Sequence, residues 1–69
     1  MQTLDFTVSG MTCQHCVASV TEEVGEVPGV TEVEVDLTNG RLRVVGDGLT
    51  AEQVQAAVAE AGDYTARPA

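Results

Sequence analysis

Leu4, Phe6 and Val8 alternate with Thr3, Asp5 and Thr7, the period-two signature of a strand with one buried face. The strand is expected to end at Ser9-Gly10. Beyond it the period changes: Val17, Val20, Val24 and Val27 recur at helical spacing, while Ser19, Glu22, Glu23 and Glu26 fall toward the other side. This predicts an amphipathic helix, weakened in its last turn by Gly25 and stopped by Pro28-Gly29.

From Val30 the alternation returns, with Val33, Val35 and Leu37 on one face and Glu32, Glu34 and Asp36 on the other. Asn39-Gly40 then signals a two-residue hairpin turn. Closing that turn would pair Thr38 with Arg41, Leu37 with Leu42, Asp36 with Arg43 and Val35 with Val44, setting apolar against apolar and acid against base. Gly46-Asp47-Gly48 breaks the third strand. Thr50 follows as an N-cap with Gln53 at the capping-box position, and Leu49 and Val54 stand where a hydrophobic staple would form. The stripe Val54, Ala57, Val58, Ala61 carries the second helix to Gly62, read as a left-handed C-cap. A short last strand is expected over residues 64–67, before Pro68-Ala69.

The order strand, helix, strand, strand, helix, strand implies an α+β fold: a ferredoxin-like βαββαβ open-faced sandwich. Each helix has one apolar stripe and each strand one apolar face. Two helices should therefore cover one side of a four-stranded antiparallel sheet and leave the other wet. With 69 residues, residues 1–69 are read as a single domain, small enough that its stability is a few kcal/mol.

Composition narrows the function. Eleven acids stand against Arg41, Arg43 and Arg67, with no lysine, for a net charge of -8. Nucleic acid is excluded as a partner, because little is available to replace phosphate counterions. An acidic surface aids solubility and would steer the protein toward a basic patch on a partner. No apolar run approaches membrane-spanning length and the amino terminus has no signal-peptide pattern, so no direct membrane binding is expected and the simplest address is the cytoplasm. In a reducing compartment two nearby cysteines are ligands or redox thiols more readily than a structural staple.

Both cysteines lie in Gly10-Met11-Thr12-Cys13-Gln14-His15-Cys16, between the first strand and the first helix. Cys16 should fall in the first helical turn with Cys13 just before it. Backbone N–H groups and the helix dipole favour thiolate over thiol there. Two thiolates around a monovalent soft cation leave one net negative charge, which a helix N-terminus suits, so Cu(I) fits. Zinc fits less well, since it takes four ligands, or three and water. An open two-sulfur site also lets a partner's thiolates attack the metal, which suits a carrier. Cys13, on the loop side, is expected to receive or release the ion first.

At these residues the chain resembles heavy-metal-associated domains, and the His before the second Cys is similar to bacterial copper chaperones. Val27-Pro28-Gly29-Val30 and Ala61-Gly62 extend the resemblance over nearly the whole chain. It implies a non-enzymatic, cytosolic Cu(I) carrier that delivers to the metal-binding domains of a copper-transporting P-type ATPase, with a copper-sensing repressor as a further recipient. It also implies that Cys13 and Cys16 bind the metal and that Met11 packs beneath the loop. Bacterial members tend to place a Tyr directly after the glycine that ends the second helix. Here Asp63 stands there and Tyr64 follows, so either the loop is shifted or the Tyr contact altered, and Asp63 is expected to face solvent.

His15 reads as a solvated neighbour of the thiolates more than as a ligand. Met11 reads as a flexible core filler more than as a soft third ligand, and Tyr64 as a partly buried strand residue near the site. Three readings compete: a stand-alone Cu(I) chaperone, an amino-terminal metal-binding domain excised from a copper ATPase, and a small dithiol-disulfide oxidoreductase. Met1 just before the first strand favours the first, and the missing aromatic before Cys13 disfavours the last. Zn(II) or another thiophilic ion is an alternative cargo, and metal shared between exposed two-thiolate sites can bridge a homodimer.

Overall fold

The computed structural model describes residues 1–12 and 14–69. The elements run β1 (Gln2–Ser9), α1 (Gln14–Gly25), β2 (Val30–Asp36), β3 (Arg41–Gly46), α2 (Ala51–Ala61) and β4 (Thr65–Pro68). The strands form one antiparallel sheet ordered β2-β3-β1-β4. This is the ferredoxin-like arrangement expected from the pattern.

Phe6 and Val8 of β1, Leu42 and Val44 of β3 and Ala66 of β4 turn toward the helices. There they form one core with Val20 and Val24 of α1 and Val54 and Val58 of α2. The alternate residues Asp5, Thr7, Arg41, Arg43, Glu34 and Arg67 are exposed on the opposite, uncovered face. No buried polar or charged residue is found among those described, so the core is held by apolar packing alone.

The hairpin closes differently from expectation. Asp36 pairs with Arg41, Val35 with Leu42, Glu34 with Arg43 and Val33 with Val44, which leaves Leu37 to Gly40 as a four-residue loop. A two-residue turn of the Asn-Gly kind needs positive φ at both central residues, but Asn39 has none and only Gly40 does, at +63°. Asn39 instead serves the turn through its hydrogen bonds. Its backbone N–H and its side-chain amide donate to the two carboxylate oxygens of Asp36, at 3.3 and 2.8 Å, so the acid terminates the strand rather than facing Arg43. The shift is by two residues. A period-two pattern looks the same after such a shift, which is why matching apolar and charged pairs could not expose the error.

Three helix ends are also informative. α1 stops at Gly25, two residues before Val27, as Glu26 and Val27 donate to the carbonyls of Glu23 and Val24 in a tightened last turn. The residue before a proline is disfavoured in helical conformation, and Val27 precedes Pro28. α2 begins as expected: the Thr50 hydroxyl accepts from Gln53 N at 3.2 Å, and the Gln53 side chain accepts from Thr50 N at 3.3 Å. Its C-terminal Gly62 is not left-handed helical, however, with φ 157° and ψ -158°. β4 runs one residue later than expected, and Tyr64 lies outside it.

Gly46 belongs to β3 and is buried, where the expectation was a break. A side chain there would strike the Gly29 carbonyl and the start of β2, so this glycine permits a close backbone approach.

Candidate metal centre

β1 ends where Gly10 takes φ +101°, a conformation only glycine adopts readily. That turn sends the chain across the end of the sheet toward α1. Met11 is half-buried and packs against the core, and Thr12 is exposed. α1 then begins at Gln14 with no acidic residue in its first turn, so none of the helix's own first-turn side chains brings a carboxylate to the positive end of its dipole. Cys16 lies in that first turn and is half-buried, while His15 beside it is exposed. Cys13 lies outside the described residues, as does the expectation that it exchanges metal first.

The hydroxyl Oγ1 of Thr12 stands 4.0 Å from Cys16 Sγ in hydrogen-bonding geometry, a long contact in which either group can donate. The two are one helical turn apart in sequence. That spacing was legible, but sequence reasoning assigned Thr12 no role because a threonine in a loop has many partners to choose from. Among the described residues no three His, Cys, Asp or Glu side chains come together.

Tyr64 reaches the same end of the molecule from α2. Its N–H donates to the Gly62 carbonyl at 2.8 Å, a three-residue turn with Asp63 at its apex. Asp63 is exposed, in line with expectation, and Tyr64 is half-buried against the core. The ring lies in a slot bounded by two glycines. A Cβ on Gly62 would come within 2.9 Å of ring atom Cε2, and one on Gly10 within 3.2 Å of Cδ1. The extra residue before Tyr64 is thus absorbed by the tight turn, and the ring is seated against the glycine from which the cysteine loop departs. Sequence reasoning singled out Tyr64 but missed the pair of glycines that seat it.

The sequence profile of the heavy-metal-associated domain matches residues 5–63. The chain belongs to the heavy-metal-associated domain family. Within it, the chain is 40% identical over 60 residues to the COP-associated protein of Helicobacter felis, covering 86% of this chain and 91% of that protein. It is 38% identical over 60 residues to the copper chaperone CopZ of Enterococcus hirae, covering 84% and 87%. It is also 39% identical over 67 residues to copper-transporting ATPase 1 of Rhizobium meliloti, where it spans 94% of this chain but 8% of the ATPase. Among solved structures, a copper binding domain from HMA7, a P-type ATPase, superposes with a TM-score of 0.93 at 31% identity, covering 100% of this chain and 95% of that one. The N-terminal domain of ZntA in its Zn(II) form superposes at 0.85 with 33% identity, covering 96% and 89%. No helix of this heavy-metal-associated domain, among the described residues, is long and apolar enough to cross a membrane.

Proposed function

We propose that this domain is a Cu(I) carrier of the cytoplasm that holds its ion between the thiolates of Cys13 and Cys16 and passes it on by ligand exchange. The observation that carries this reading is Cys16 half-buried in the first turn of α1, with Cys13 three positions earlier in sequence. Two soft sulfurs at a helix N-terminus suit a monovalent soft ion, whereas a closed zinc site needs four ligands. In the exchange a partner thiolate binds the ion as one of this domain's thiolates leaves. Copper stays Cu(I) throughout and no electron moves.

The recipient that best fits is a heavy-metal-associated domain of a copper-transporting P-type ATPase, because such domains share this fold and the likeness of the chain to both a chaperone and an ATPase supports the pairing. A copper-sensing repressor is a second recipient, and metal shared between two open sites would join two copies. In this reading residues 1–69 form one domain, Met11 fills the space under the loop, and His15 and Tyr64 neighbour the ion without ligating it. The reading has no catalytic step, in contrast to a dithiol-disulfide oxidoreductase.

A second reading is favoured by the 39% identity to the ATPase over 67 residues: the same site would serve as a metal-binding domain of a copper ATPase. The Zn(II)-form neighbour makes zinc the competing ion.

Titration of the reduced, anaerobic protein with Cu(I) against a competing chelator tests the proposal, with Zn(II) titrated in parallel. One Cu(I) per chain, bound far more tightly than Zn(II) and abolished in a Cys13→Ser, Cys16→Ser variant, is expected. A double variant that binds Cu(I) as tightly as the parent, or tighter binding of Zn(II), would overturn it. Sustained insulin disulfide reduction would favour the redox alternative.

A further inference from the structure

Asn39-Gly40 signals the hairpin in sequence, yet the two-residue turn that this dipeptide favours is not formed, since Asn39 has no positive φ. The pair carries a second chemistry. An asparagine followed by glycine can close a five-membered ring, because glycine has no Cβ to shield its backbone nitrogen. Asn39 is the only asparagine of the chain and is exposed. The attacking atom would be Gly40 N, and among the described residues no hydrogen bond engages that N–H. The Gly40 carbonyl is anchored instead, accepting from Val8 N at 2.7 Å.

Asp36 stands against this reaction. Its Oδ2 accepts from Asn39 Nδ2 at 2.8 Å and its Oδ1 from Asn39 N at 3.3 Å. These bonds hold the carboxyl below its ordinary value of 3.8, so it is ionised at neutral pH. Arg41 is paired opposite Asp36 in the sheet, but no ion pair joins them among the described residues. Three effects of the clasp run in one direction. It ties down the amide that must swing toward Gly40 N, so that a charge-assisted hydrogen bond has to break first. Donation to an anion leaves more electron density on the amide, making Cγ a poorer electrophile. The negative charge also opposes loss of the Gly40 N–H proton and the anionic adduct that follows.

We infer that Asn39-Gly40 is a self-modification site, a deamidation site that the Asp36 carboxylate restrains in the folded loop and whose product breaks that clasp. Gly40 N, its proton passed to water, bonds to Asn39 Cγ. The Cγ–Nδ2 bond breaks, and Nδ2 leaves as ammonia after taking a proton from water. A further water opens the succinimide at either carbonyl to give aspartate or isoaspartate, with no change of oxidation state. The product has a carboxylate where Nδ2 donated, so two anions face each other across the former 2.8 Å contact. In the isoaspartate the backbone is also one carbon longer, which shifts the Gly40 carbonyl relative to Val8 N. The inference does not depend on what the cysteine loop binds.

The test incubates the reduced, metal-free whole chain in mildly alkaline buffer and follows ammonia release and intact mass, with peptide mapping to place the change. Asp47-Gly48 can form the same ring, but it loses water rather than ammonia and regains it on opening, so it is silent in both readings. Modification at residue 39 is expected, about tenfold slower in the folded chain than in guanidinium chloride. Folded Asp36→Asn and Asp36→Ser should both approach the unfolded rate, with amide spectra recording that they keep the fold. Asn39→Asp mimics the product and gives a reading that needs neither variant: its amide shifts should depart from the parent's at Val8 and over residues 36–41. A folded parent as fast as the unfolded chain, or a folded Asp36 variant as slow as the parent, would overturn the proposal. So would an unfolded chain that releases no ammonia, or parent-like shifts around the loop in Asn39→Asp.

Discussion

The ring of Tyr64 is packed against Gly10, with Cδ1 3.2 Å from the point where a Gly10 side chain would begin and the Asp63 carbonyl oxygen 2.8 Å from it. The residue that starts the cysteine loop and a residue of the turn between α2 and β4 therefore share one small space. Any side chain at Gly10 must displace backbone on the Asp63 side and ring on the Tyr64 side.

Gly10→Ala should accordingly be among the costly glycine substitutions. Its backbone, at φ +101°, carries a left-handed strain of about 1–2 kcal/mol for a residue with a Cβ, and crowding adds about 1–3 kcal/mol. Gly48→Ala is the control, since its φ is +68° but nothing lies within 4 Å of a Cβ there; it should cost the backbone strain alone. Urea denaturation of both variants measures the difference. Equal losses would mean that the packing of Tyr64 on Gly10 contributes no rigidity.

The hairpin loop should leave a mark on acid stability. Hydrogen bonds from the Asn39 side chain, then from its backbone, hold the Asp36 carboxyl below its ordinary value of 3.8. A carboxyl depressed in the folded state contributes stability that is present above the unfolded value and lost as pH falls through the folded one. Asn39→Ala removes the largest of these causes. The Asp36 carboxyl, followed by NMR titration, should then move up toward 3.8, and the variant's stability should change less between pH 5 and pH 2 than the parent's, both about the window in which carboxylates titrate. An unmoved titration would show that the loop is held by other contacts.

The second helix depends on a local device. Thr50→Ala removes the hydroxyl that accepts from Gln53 N and should cost about 1 kcal/mol, with a range of about 0.5–2. Thr50→Ser preserves the acceptor and should cost less. Thermal unfolding of the three proteins provides the comparison, and equal midpoints would remove the cap from the account of α2.

Much of this molecule was written locally. The Thr50 and Gln53 cap, the stripes Val20, Val24 and Val54, Val58, and the alternation through Phe6 and Val8 each require only neighbours in sequence. Together they determined six elements, their order and the buried face of each. The cysteine loop was equally legible, since Gly10, the two cysteines and a following helix are contiguous.

What the tertiary structure decided depended on contacts between distant residues or on degeneracies of the pattern. Period two could not distinguish Val35 opposite Leu42 from Val35 opposite Val44, and the choice fell to Asp36 binding Asn39 and to Val8 N donating to the Gly40 carbonyl at 2.7 Å. Thr7 is flanked by Arg41 of β3 and Arg67 of β4 only once β1 lies between those strands, because nothing in the order of the chain makes residues 7, 41 and 67 neighbours. The slot for Tyr64 required Gly10 and Gly62, 52 positions apart in the numbering, to meet. Sequence determined which residues face inward, because burial is a local choice between polar and apolar. Which of them touch was decided by chain closure over long separations, where the same local pattern admits several registers.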